Sequence, residues 1–437
     1  MSKHYTSWGR HISAEQQIRC PAWRDALDLA SPDKTILTYG NGRSYGDSCL
    51  NDGGILVDLR KLEHFIHFDA HHGILRCEAG VLFADILSLI VKQGWFLPVT
   101  PGTRYITVGG AIANDVHGKN HHRAGTFGMH IKQFELCRST GEQLVCSPTQ
   151  NPLLFNATIG GLGLTGTILW AEFALKKIAS PMIEAESIRF ETLDDFFELC
   201  TESDKNHEYT VAWVDCLAKG KARGRGIFIR GNHASTATTD TATCSTRTLS
   251  IPVELPISIV NPLTLKIFNT IYFKKHPRHP KKYSSHYAPF FYPLDAIKNW
   301  NRMYGKKGFF QYQCVVPVEQ ARHAISELLQ HIAASRTGSF LAVLKMFGSV
   351  QSPGLLSFPR EGVTLALDFA NQGQKTLDLL ENLDNVVAEN GGAVYPAKDA
   401  RMSGERFKQY FPRWQEFQTY IDKNYSSSFW RRVMEVE

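Results

Sequence analysis

The chain lacks several features that would place it in familiar protein classes. Its 437 residues include nine cysteines, none of them in a CxxC pair, which argues against a disulfide framework or structural zinc site and favours a reducing compartment. No apolar run reaches the ~18 residues that a spanning helix needs. The first residues, MSKHYTSWGRHISAEQ, contain no apolar stretch like that of a signal peptide. We therefore expect a cytoplasmic location, with association at the inner face of the membrane as an open alternative.

The charge is also low for a nucleic-acid-binding protein. The formal net charge is +6, and charged residues make up 21% of the chain. Hydrophobic residues make up 43%, which is typical of a globular protein and not of a disordered one. The composition predicts a folded enzyme with more than one domain, which accepts anionic ligands and binds no nucleic acid.

Two common nucleotide-binding fingerprints are missing. A Rossmann fingerprint needs GxGxxG between a strand and a helix, but GNGRSYG at residues 40–46 is followed by another turn and a strand. A Walker loop ends in GK[ST], and no glycine cluster of this chain does. Any phosphate-binding loop must be of another kind.

What the chain does have is glycine clusters, at residues 40–48, 101–122 and 159–167. Glycine allows sharp turns and a close approach of the backbone to a ligand, and converging backbone N–H groups bind pyrophosphate. One cluster alone would be explained by tight turns. Three within the first 170 residues favour nucleotide binding.

The hydrophobic pattern predicts two α+β regions. TILTYG, GILVDL, GILRCEAG and TGTILWAEFAL are typical of strands, and VLFADILSLIVKQG predicts a helix that ends at Gly94. Beyond residue 181, ETLDDFFELCTESDK and EQARHAISELLQHIAAS predict helices, and YTVAWVDCLAKG, RGIFIRG, FFQYQCVVP, FLAVLKMFG and VTLALDFA predict strands of a mainly antiparallel sheet. Residues 233–250 are rich in Ser and Thr and predict a long loop. The segment from residue 395 is charged and predicted to be helical.

Longer motifs reveal a family resemblance. GRSYGDS, PGTRYITVGGAIANDVHGKNHHRAGTFG and GGLGLTGTI resemble the PCMH-type FAD-binding domain of the vanillyl-alcohol-oxidase superfamily. Within it, the chain resembles the FAD-dependent decaprenylphosphoryl-β-D-ribose 2′-oxidase family, because WGRH, AWVD, YPLD, WNRMYG, FQYQCVVP, LKMFG, LSFP and YPAKDAR occur in that family's order. The resemblance implies an α+β fold of two domains. Residues 1–180, completed by 394–437, would bind FAD, and residues 181–393 would form a substrate-binding domain whose antiparallel sheet covers the flavin.

The resemblance also implies a set of FAD-binding residues. They are Gly40, Asn41, Gly42, Arg43, Ser44, Tyr45, Gly46, Asp47, Ser48, Gly102, Thr107, Val108, Gly109, Gly110, Asn114, Asp115, His117, Ile168, Tyr395 and Lys398. Several relatives place a histidine in the first loop and bond it to the flavin. Tyr45 is the corresponding residue here, and we expect it to pack against a non-covalent FAD.

Three residues are predicted to be catalytic: His117, Lys119 and Lys398. Alcohol oxidation releases a hydroxyl proton, and a histidine with a pKa near neutrality suits that step; the alternative is that His117 only hydrogen-bonds the cofactor or a neighbour. Lys119 resembles a lysine that faces the substrate, although it could be a solvated surface residue. Lys398 resembles a lysine beside the flavin, where a fixed cation would stabilise the negative charge of the reduced ring. The alternative is an ion pair with Asp399.

A metal site is the other interpretation of the histidines in this motif. His117 and His121 are four residues apart, with His122 next to them, a spacing that binds zinc on a helix. Gly118 and the glycines before it argue against a helix here. We therefore expect no metal.

The resemblance assigns seven residues to the substrate pocket: Trp213, Phe291, Gln311, Gln313, Lys345, Thr364 and Ala366. The alternative for Lys345 is an edge strand with the amine reaching solvent. Known members of the family carry Asn and Cys where this chain has Thr364 and Ala366, and Tyr where it has Phe291. The pocket wall thus differs in polarity and volume, which leaves the identity of the sugar open.

The function implied is oxidation of the 2′-hydroxyl of a polyprenyl-phosphate ribose to a 2′-keto sugar. A short-chain reductase partner would then complete an epimerisation. Two alternatives stay open: oxidation of a free sugar, aldonolactone or alditol, and a flavin-binding protein without catalysis. Residues 264–292 mix aromatic residues with a basic cluster, which fits a lid, a membrane-surface contact or a solvated loop.

Overall fold

A computed structural model describes residues 5–31, 33–236, 249–254, 256 and 258–435. The predicted loop at 233–250 falls mainly on residues 237–248, which lie outside the described residues. None of the helices in the described part of the chain is long and apolar enough to cross a membrane.

The chain contains helices together with mainly antiparallel sheets, as an α+β fold predicts. The strands β1 to β20 are Gln17–Arg19, Ile36–Tyr39, Ile55–Asp58, Phe65–Asp69, Ile74–Glu78, Trp95–Phe96, Ile131–Cys137, Gln143–Cys146, Thr167–Ala174, Lys176–Lys177, Met182–Phe190, Tyr209–Val214, Gly226–His233, Leu249–Ser250, Lys281–His286, Ile297–Lys298, Phe309–Val316, Val343–Phe347, Gly362–Ala370 and Ala393–Val394. The helices α1 to α12 are Phe83–Ile90, Val108–Ala113, His121–Ala124, Pro152–Thr158, Leu193–Asp204, Pro262–Lys275, Tyr287–Phe291, Val318–Ser335, Gln374–Glu389, Gly404–Tyr410, Trp414–Gln418 and Ser428–Met434. The predicted α+β fold class is confirmed.

The first part of the chain builds two larger sheets and a two-stranded antiparallel sheet of β6 and β10. One of the larger sheets is parallel, in the order β1-β3-β2, and the other is antiparallel, in the order β4-β5-β9-β7-β8. The predicted apolar face of α1 is buried, from Phe83 to Ile90. Gly94 ends this helical region with φ of 77°, a conformation that glycine adopts without strain.

The second part builds one antiparallel sheet of eight strands, in the order β15-β11-β13-β12-β18-β19-β17-β20. Helices α8 and α9 cover one face, where Leu328 and Leu383 are buried in a core shared with Leu365. On the other face, the register pairs Gln313 with Ala366. Because side chains alternate between the faces of a strand, the polar residues of β17, β18 and β19 point together away from the helices.

The C-terminal segment returns to the first part of the chain. Tyr425 forms a parallel bridge with Ile36, and its hydroxyl lies 2.6 Å from Thr167 Oγ1. Arg431 Nη1 donates to Asn51 Oδ1 over 2.7 Å. These contacts support a first domain completed by the C-terminal residues, and all strands of the eight-stranded sheet fall between residues 182 and 394. The domain limits themselves stay a prediction.

Candidate active site

A cavity of about 640 Å³ is lined by residues from both parts of the chain. Cavities of this size hold cofactors and small ligands. Most residues predicted from the sequence line it: Gly40, Asn41, Gly42, Arg43, Ser44, Tyr45, Ser48, Gly102, Thr107, Gly109, Gly110, Asn114, His117, Lys119, Ile168, Phe291, Gln311, Gln313, Lys345, Ala366, Tyr395 and Lys398. The structure thus brings distant motifs together, while the role of each residue stays a prediction.

The first glycine loop offers a row of free hydrogen-bond donors. Asn41 Nδ2 donates to Tyr105 O over 2.7 Å, which ties the loop to the next glycine cluster. None of the described residues accepts a hydrogen bond from the backbone N–H groups of residues 41–44. Gly42 adopts φ of 57°, a conformation found where successive N–H groups form an anion-binding concavity. Unpaired donors beside a cavity form a donor set that suits a pyrophosphate.

Two glycines of this loop are required by close packing. A Cβ atom on Gly40 would lie 2.4 Å from Thr107 Oγ1, and one on Gly46 would lie 1.5 Å from the carbonyl oxygen of Asp399. Both distances are shorter than a van der Waals contact. The loop therefore fits against the second glycine cluster and the C-terminal segment only with glycine at these positions.

Tyr45 lies within this loop and faces the cavity. Its ring packs edge-on against Phe309, with 5.5 Å between ring centroids. The Lys398 Nζ lies 4.1 Å from the Tyr45 ring centroid, close enough for a cation–π contact. Burial raises the pKa of Tyr45 well above its usual value. The phenol therefore stays neutral and serves as a packing surface.

His117 is buried in the cavity wall among the rings of Phe347 and Tyr395. Gln313 Nε2 lies 2.9 Å from His117 Nε2. With that amide donating, the imidazole proton resides on Nδ1, which is buried and has no partner among the described residues. Burial lowers the pKa of His117 well below its usual value, and the cations Lys345 and Lys398 lower it further. The expectation of a pKa near neutrality is therefore wrong.

Three lysines give the cavity a positive character. Burial lowers the pKa of Lys119 to about 8, and that of Lys398 to about 8. Burial and the neighbouring charges of Lys119 and Lys398 lower the pKa of Lys345 to about 7. Within the described residues, no carboxylate lies within ion-pair distance of any of the three, although the charge of Asp368 acts against the lowered pKa of Lys398. Buried cations without partners are costly, so this arrangement indicates an anionic ligand.

Asp368 is a cavity residue that the sequence reasoning missed. Its Oδ1 accepts a hydrogen bond from Gln311 Nε2 over 2.7 Å, and its Oδ2 accepts one from the Tyr304 hydroxyl over 3.4 Å. Burial raises its pKa to about 6, although Lys398 acts in the opposite direction. The sequence did carry a signal for it. Asp368 lies two residues after Ala366, so both side chains are on the same face of an otherwise apolar strand.

The cavity is closed on one side by residues 292–300. Asp295 accepts hydrogen bonds from Thr103 Oγ1 over 2.7 Å and from the backbone N–H of Arg104 over 3.0 Å. The Tyr292 hydroxyl lies 2.7 Å from Thr100 Oγ1. These contacts join residues 292–300 to the glycine cluster at residues 101–122, so the two sides of the cavity are held together.

Comparison with known proteins shows the family to which the chain belongs. Residues 22–147 match the family model described as the FAD binding domain. A decaprenylphosphoryl-β-D-ribose oxidase from Mycolicibacterium smegmatis is 35% identical over 392 residues, which cover 87% of this chain and 84% of the relative. The chain belongs to the decaprenylphosphoryl-β-D-ribose oxidase family.

Two further relatives match parts of the chain. An uncharacterized protein in the mprA 5′ region of Streptomyces coelicolor is 33% identical over 347 residues, which cover 76% of this chain and 92% of the relative. Cytokinin dehydrogenase 8 of Oryza sativa subsp. indica is 29% identical over 198 residues, which cover 42% of this chain and 37% of that protein. The resemblance noted in the motifs is confirmed. As a member of the decaprenylphosphoryl-β-D-ribose oxidase family, the protein is an oxidoreductase with FAD as its cofactor.

The residues present fit FAD. The free N–H groups of residues 41–44 suit the pyrophosphate, and the close packing at Gly40 and Gly46 holds the loop against its neighbours. Lys398 and Tyr45 stand together on the cavity wall. Within the described residues, no group of three or more His, Cys, Asp or Glu side chains could hold a metal ion.

Two predicted FAD-binding residues of the first loop face away from the cavity. Asp47 forms an ion pair with Arg432 over 2.8 Å, which fastens the loop to the C-terminal helix α12. Gly46 packs against the backbone of Asp399. Both residues therefore position the loop of this oxidase and lie outside the cavity lining.

Val108 and Asp115 also lie outside the lining, although both were predicted to bind FAD. Val108 is buried in the apolar core. Asp115 accepts hydrogen bonds from the backbone N–H of Gly128 over 2.9 Å and from the hydroxyl groups of Ser352 and Ser357. It thereby fixes the backbone just before His117.

Two predicted substrate residues sit behind the cavity wall. Trp213 Nε1 donates to Phe340 O over 2.9 Å, and its ring packs against Tyr272 of α6, with 4.8 Å between centroids. Thr364 is buried and lies under Gln313, whose Nε2 donates to its hydroxyl over 3.2 Å. The family resemblance placed both residues in the substrate pocket, but neighbouring side chains cover them.

The ion pair between Lys398 and Asp399, kept as an alternative in the sequence analysis, is absent from the described residues. Asp399 instead accepts a hydrogen bond from Arg432 Nη2 over 3.0 Å and one from the backbone N–H of Met402 over 3.0 Å. The two neighbouring residues thus have separate environments. This leaves the Lys398 ammonium free to face the cavity, as the family resemblance implied.

Proposed function

We propose that the protein oxidises the 2′-hydroxyl of a polyprenyl-phosphate ribose to a 2′-keto sugar, the first half of an epimerisation. The observation that carries this proposal is the set of three buried lysines, Lys119, Lys345 and Lys398, for which the described residues provide one nearby carboxylate, Asp368 beside Lys398. A phosphate group would supply the missing negative charge. The name of the similar oxidase from Mycolicibacterium smegmatis gives a phosphorylated ribose as its substrate.

Oxidation of the CH–OH group removes a hydride from the carbon atom and a proton from the hydroxyl group. Bound FAD supplies the acceptor for the hydride of the CH–OH group. The hydroxyl proton needs an acceptor in the cavity, and the raised pKa of Asp368, about 6, suits a carboxylate for that task near neutral pH. Gln311 holds Asp368 by a hydrogen bond of 2.7 Å. We assign the proton to Asp368.

His117 has a different task in this scheme. With its pKa lowered by burial and by nearby cations, the imidazole stays neutral across the working pH range. Its Nδ1, which has no partner among the described residues, is available to donate a hydrogen bond to an oxygen in the cavity. His117 thus remains a candidate catalytic residue, as an orienting donor. Lys398 supplies a fixed positive charge beside Tyr45.

The substrate assignment is tested by anaerobic mixing of the FAD-loaded protein with candidate substrates. Farnesylphosphoryl ribose should bleach the yellow flavin absorbance, and free ribose, aldonolactones and alditols should not. Bleaching by a free lactone or alditol would favour the second function and overturn the proposal. The third function, flavin binding without catalysis, predicts no bleaching by any of them.

The attachment of FAD is a separate prediction. Tyr45 stands where several relatives place a flavin-linked histidine, and its phenol is buried against Phe309. We expect acid precipitation of the purified protein to release all of its FAD into the supernatant. FAD retained in the pellet would show that the loop at residues 40–48 has been misinterpreted.

A short-chain reductase is the partner that this function would require. A 2′-keto sugar becomes the epimeric alcohol only after hydride addition from the opposite face. A purified short-chain reductase supplied with its reduced nicotinamide should therefore convert the product to the arabino epimer.

A further inference from the structure

Half of the exposed large apolar side chains of the described residues lie in one short stretch. Seven of the fourteen exposed large apolar side chains of the described residues fall between residues 249 and 271. They are Leu249, Val253, Ile259, Leu263, Ile267, Phe268 and Ile271. Exposed apolar residues that cluster in this way mark an interaction site.

Helix α6 presents two apolar faces. Its inner face, Leu265, Asn269 and Phe273, is buried against the eight-stranded sheet, and Asn269 Nδ2 donates to Asp215 Oδ1 over 2.7 Å. Its outer face carries Leu263 and Ile271, which are 67% and 62% exposed. A surface helix of a globular protein normally has a polar outer face, so the outer face of α6 is built for contact.

The sequence around α6 is strongly basic. Between Glu254 and Asp295 there is no acidic residue, and six basic residues occur: Lys266, Lys274, Lys275, Arg278, Lys281 and Lys282. Six positive charges equal the formal net charge of +6 of the whole protein. All six side chains are exposed, and none of them forms an ion pair with another described residue.

This surface adjoins the cavity. Trp213 packs on Tyr272 of α6, and it pairs across the strands with Val343, which lines the cavity. Phe268 of α6 packs on Phe340, with 4.9 Å between ring centroids. The cavity wall and the inner face of α6 are therefore parts of one continuous packing.

We propose that α6 and the basic segment after it, residues 262–282, form a docking surface for an anionic lipid bilayer. The apolar side chains of the outer face enter the boundary between head groups and acyl chains, and the lysines contact the lipid phosphates. Charge complementarity selects this occupant, since a stretch of forty residues without one acid matches a polyanionic surface. Through the proposed function, the docked protein would receive a lipid-linked sugar beside its cavity.

Flotation with lipid vesicles tests the proposal without any substrate. The FAD-loaded protein should float at low salt with vesicles that contain phosphatidylglycerol, and not with vesicles of phosphatidylcholine alone. The double variant Ile267→Glu/Ile271→Glu should lower the bound fraction at least about tenfold. The control Leu153→Glu changes a leucine that is 60% exposed on α4, and it should bind as wild type does. A Lys274→Glu/Lys275→Glu variant should bind more weakly and depend less on salt, because the segment then keeps a smaller net positive charge.

The proposal is overturned if wild type fails to float at low salt, or if the Ile267→Glu/Ile271→Glu variant floats as well as wild type does. Equal binding to neutral vesicles would contradict its electrostatic part. Retained flavin absorbance and melting temperature in each variant show that the fold is intact. The substrate test is separate: water-soluble farnesylphosphoryl ribose should reduce wild type and the double variant equally, whereas a long-chain substrate in vesicles should reduce the variant more slowly. No reduction with either substrate would refute the proposed function and leave the flotation result standing.

Discussion

A Lys345→Met protein is expected to keep its FAD but to need a roughly 10- to 100-fold higher concentration of farnesylphosphoryl ribose for half-maximal flavin reduction. A hydrogen bond to a charged group contributes about 1.5–3 kcal/mol, and Lys345 is a buried cation of the cavity that has no carboxylate partner among the described residues. Methionine keeps the length of the side chain and removes its charge. Anaerobic titration of flavin bleaching measures the change.

The same variant should be at least as stable as wild type. Burial and two neighbouring cations lower the pKa of Lys345 to about 7 from 10.5, so the charged form is disfavoured in the folded state. This cost is fully present below pH 7 and disappears as the pH rises towards the unfolded value. The melting temperature of Lys345→Met should therefore exceed that of wild type most clearly at pH 6, and the difference should shrink by pH 10.

A lysine outside the cavity provides a matched control for both substrate affinity and melting temperature. Lys132 is exposed on β7, and Lys132→Met should change neither substrate affinity nor melting temperature. In wild type, affinity for the phosphorylated sugar should fall as the pH rises through about 7, because Lys345 loses its proton there. An unchanged half-maximal concentration in Lys345→Met would contradict the phosphate-binding role.

An Asp368→Asn protein is expected to reduce its flavin about 100-fold more slowly with the same substrate. General base catalysis typically contributes at least that factor, and asparagine keeps the shape of the side chain but cannot accept the proton. The carboxylate form exists above a pKa of about 6, so the wild-type rate should rise with pH through about 6 and then level off. This rise of the rate with pH should be missing in Asp368→Asn.

The groups around Asp368 define the controls. Lys398, Gln311, Tyr304 and Tyr45 face it, and the charge of Lys398 is the one that opposes the raised pKa of Asp368. Asp295 is a second carboxyl of the cavity wall whose pKa is raised by burial. An Asp295→Asn protein should keep the rise through about pH 6. If Asp368→Asn keeps it as well, and His117→Gln loses it, the proton acceptor is His117.

Much of the fold could be predicted from the sequence because its elements are strongly patterned. The strand VTLALDFA and the helix that buries Phe83 follow simple alternation and helical periodicity, and both occur where predicted. Asp399 shows the limit of local sequence. Its neighbour Lys398 was an obvious partner, but the return of α12 brings Arg432 to it instead.

The residues of the candidate site could be predicted where a local motif determines the backbone. They were harder to predict where side chains from distant parts of the sequence determine burial and charge. The glycine loop at residues 40–48 carries its own turn signals. Trp213 and Thr364 were assigned to the substrate pocket by the family resemblance, yet other side chains cover them. The neutral state of His117 depends on burial and on the charges of Lys345 and Lys398, which lie far away in sequence. No local pattern reports such an environment.

The most direct test of the account is a single anaerobic turnover with farnesylphosphoryl ribose, in which flavin bleaching and the product are measured together. The proposed function predicts one equivalent of a 2′-keto sugar phosphate per FAD, lighter than the substrate by two hydrogen atoms. It also predicts that Lys345→Met and Asp368→Asn form the same product with a lower affinity and a lower rate, respectively. Bleached flavin with an unchanged sugar, or oxidation at another carbon, would contradict it.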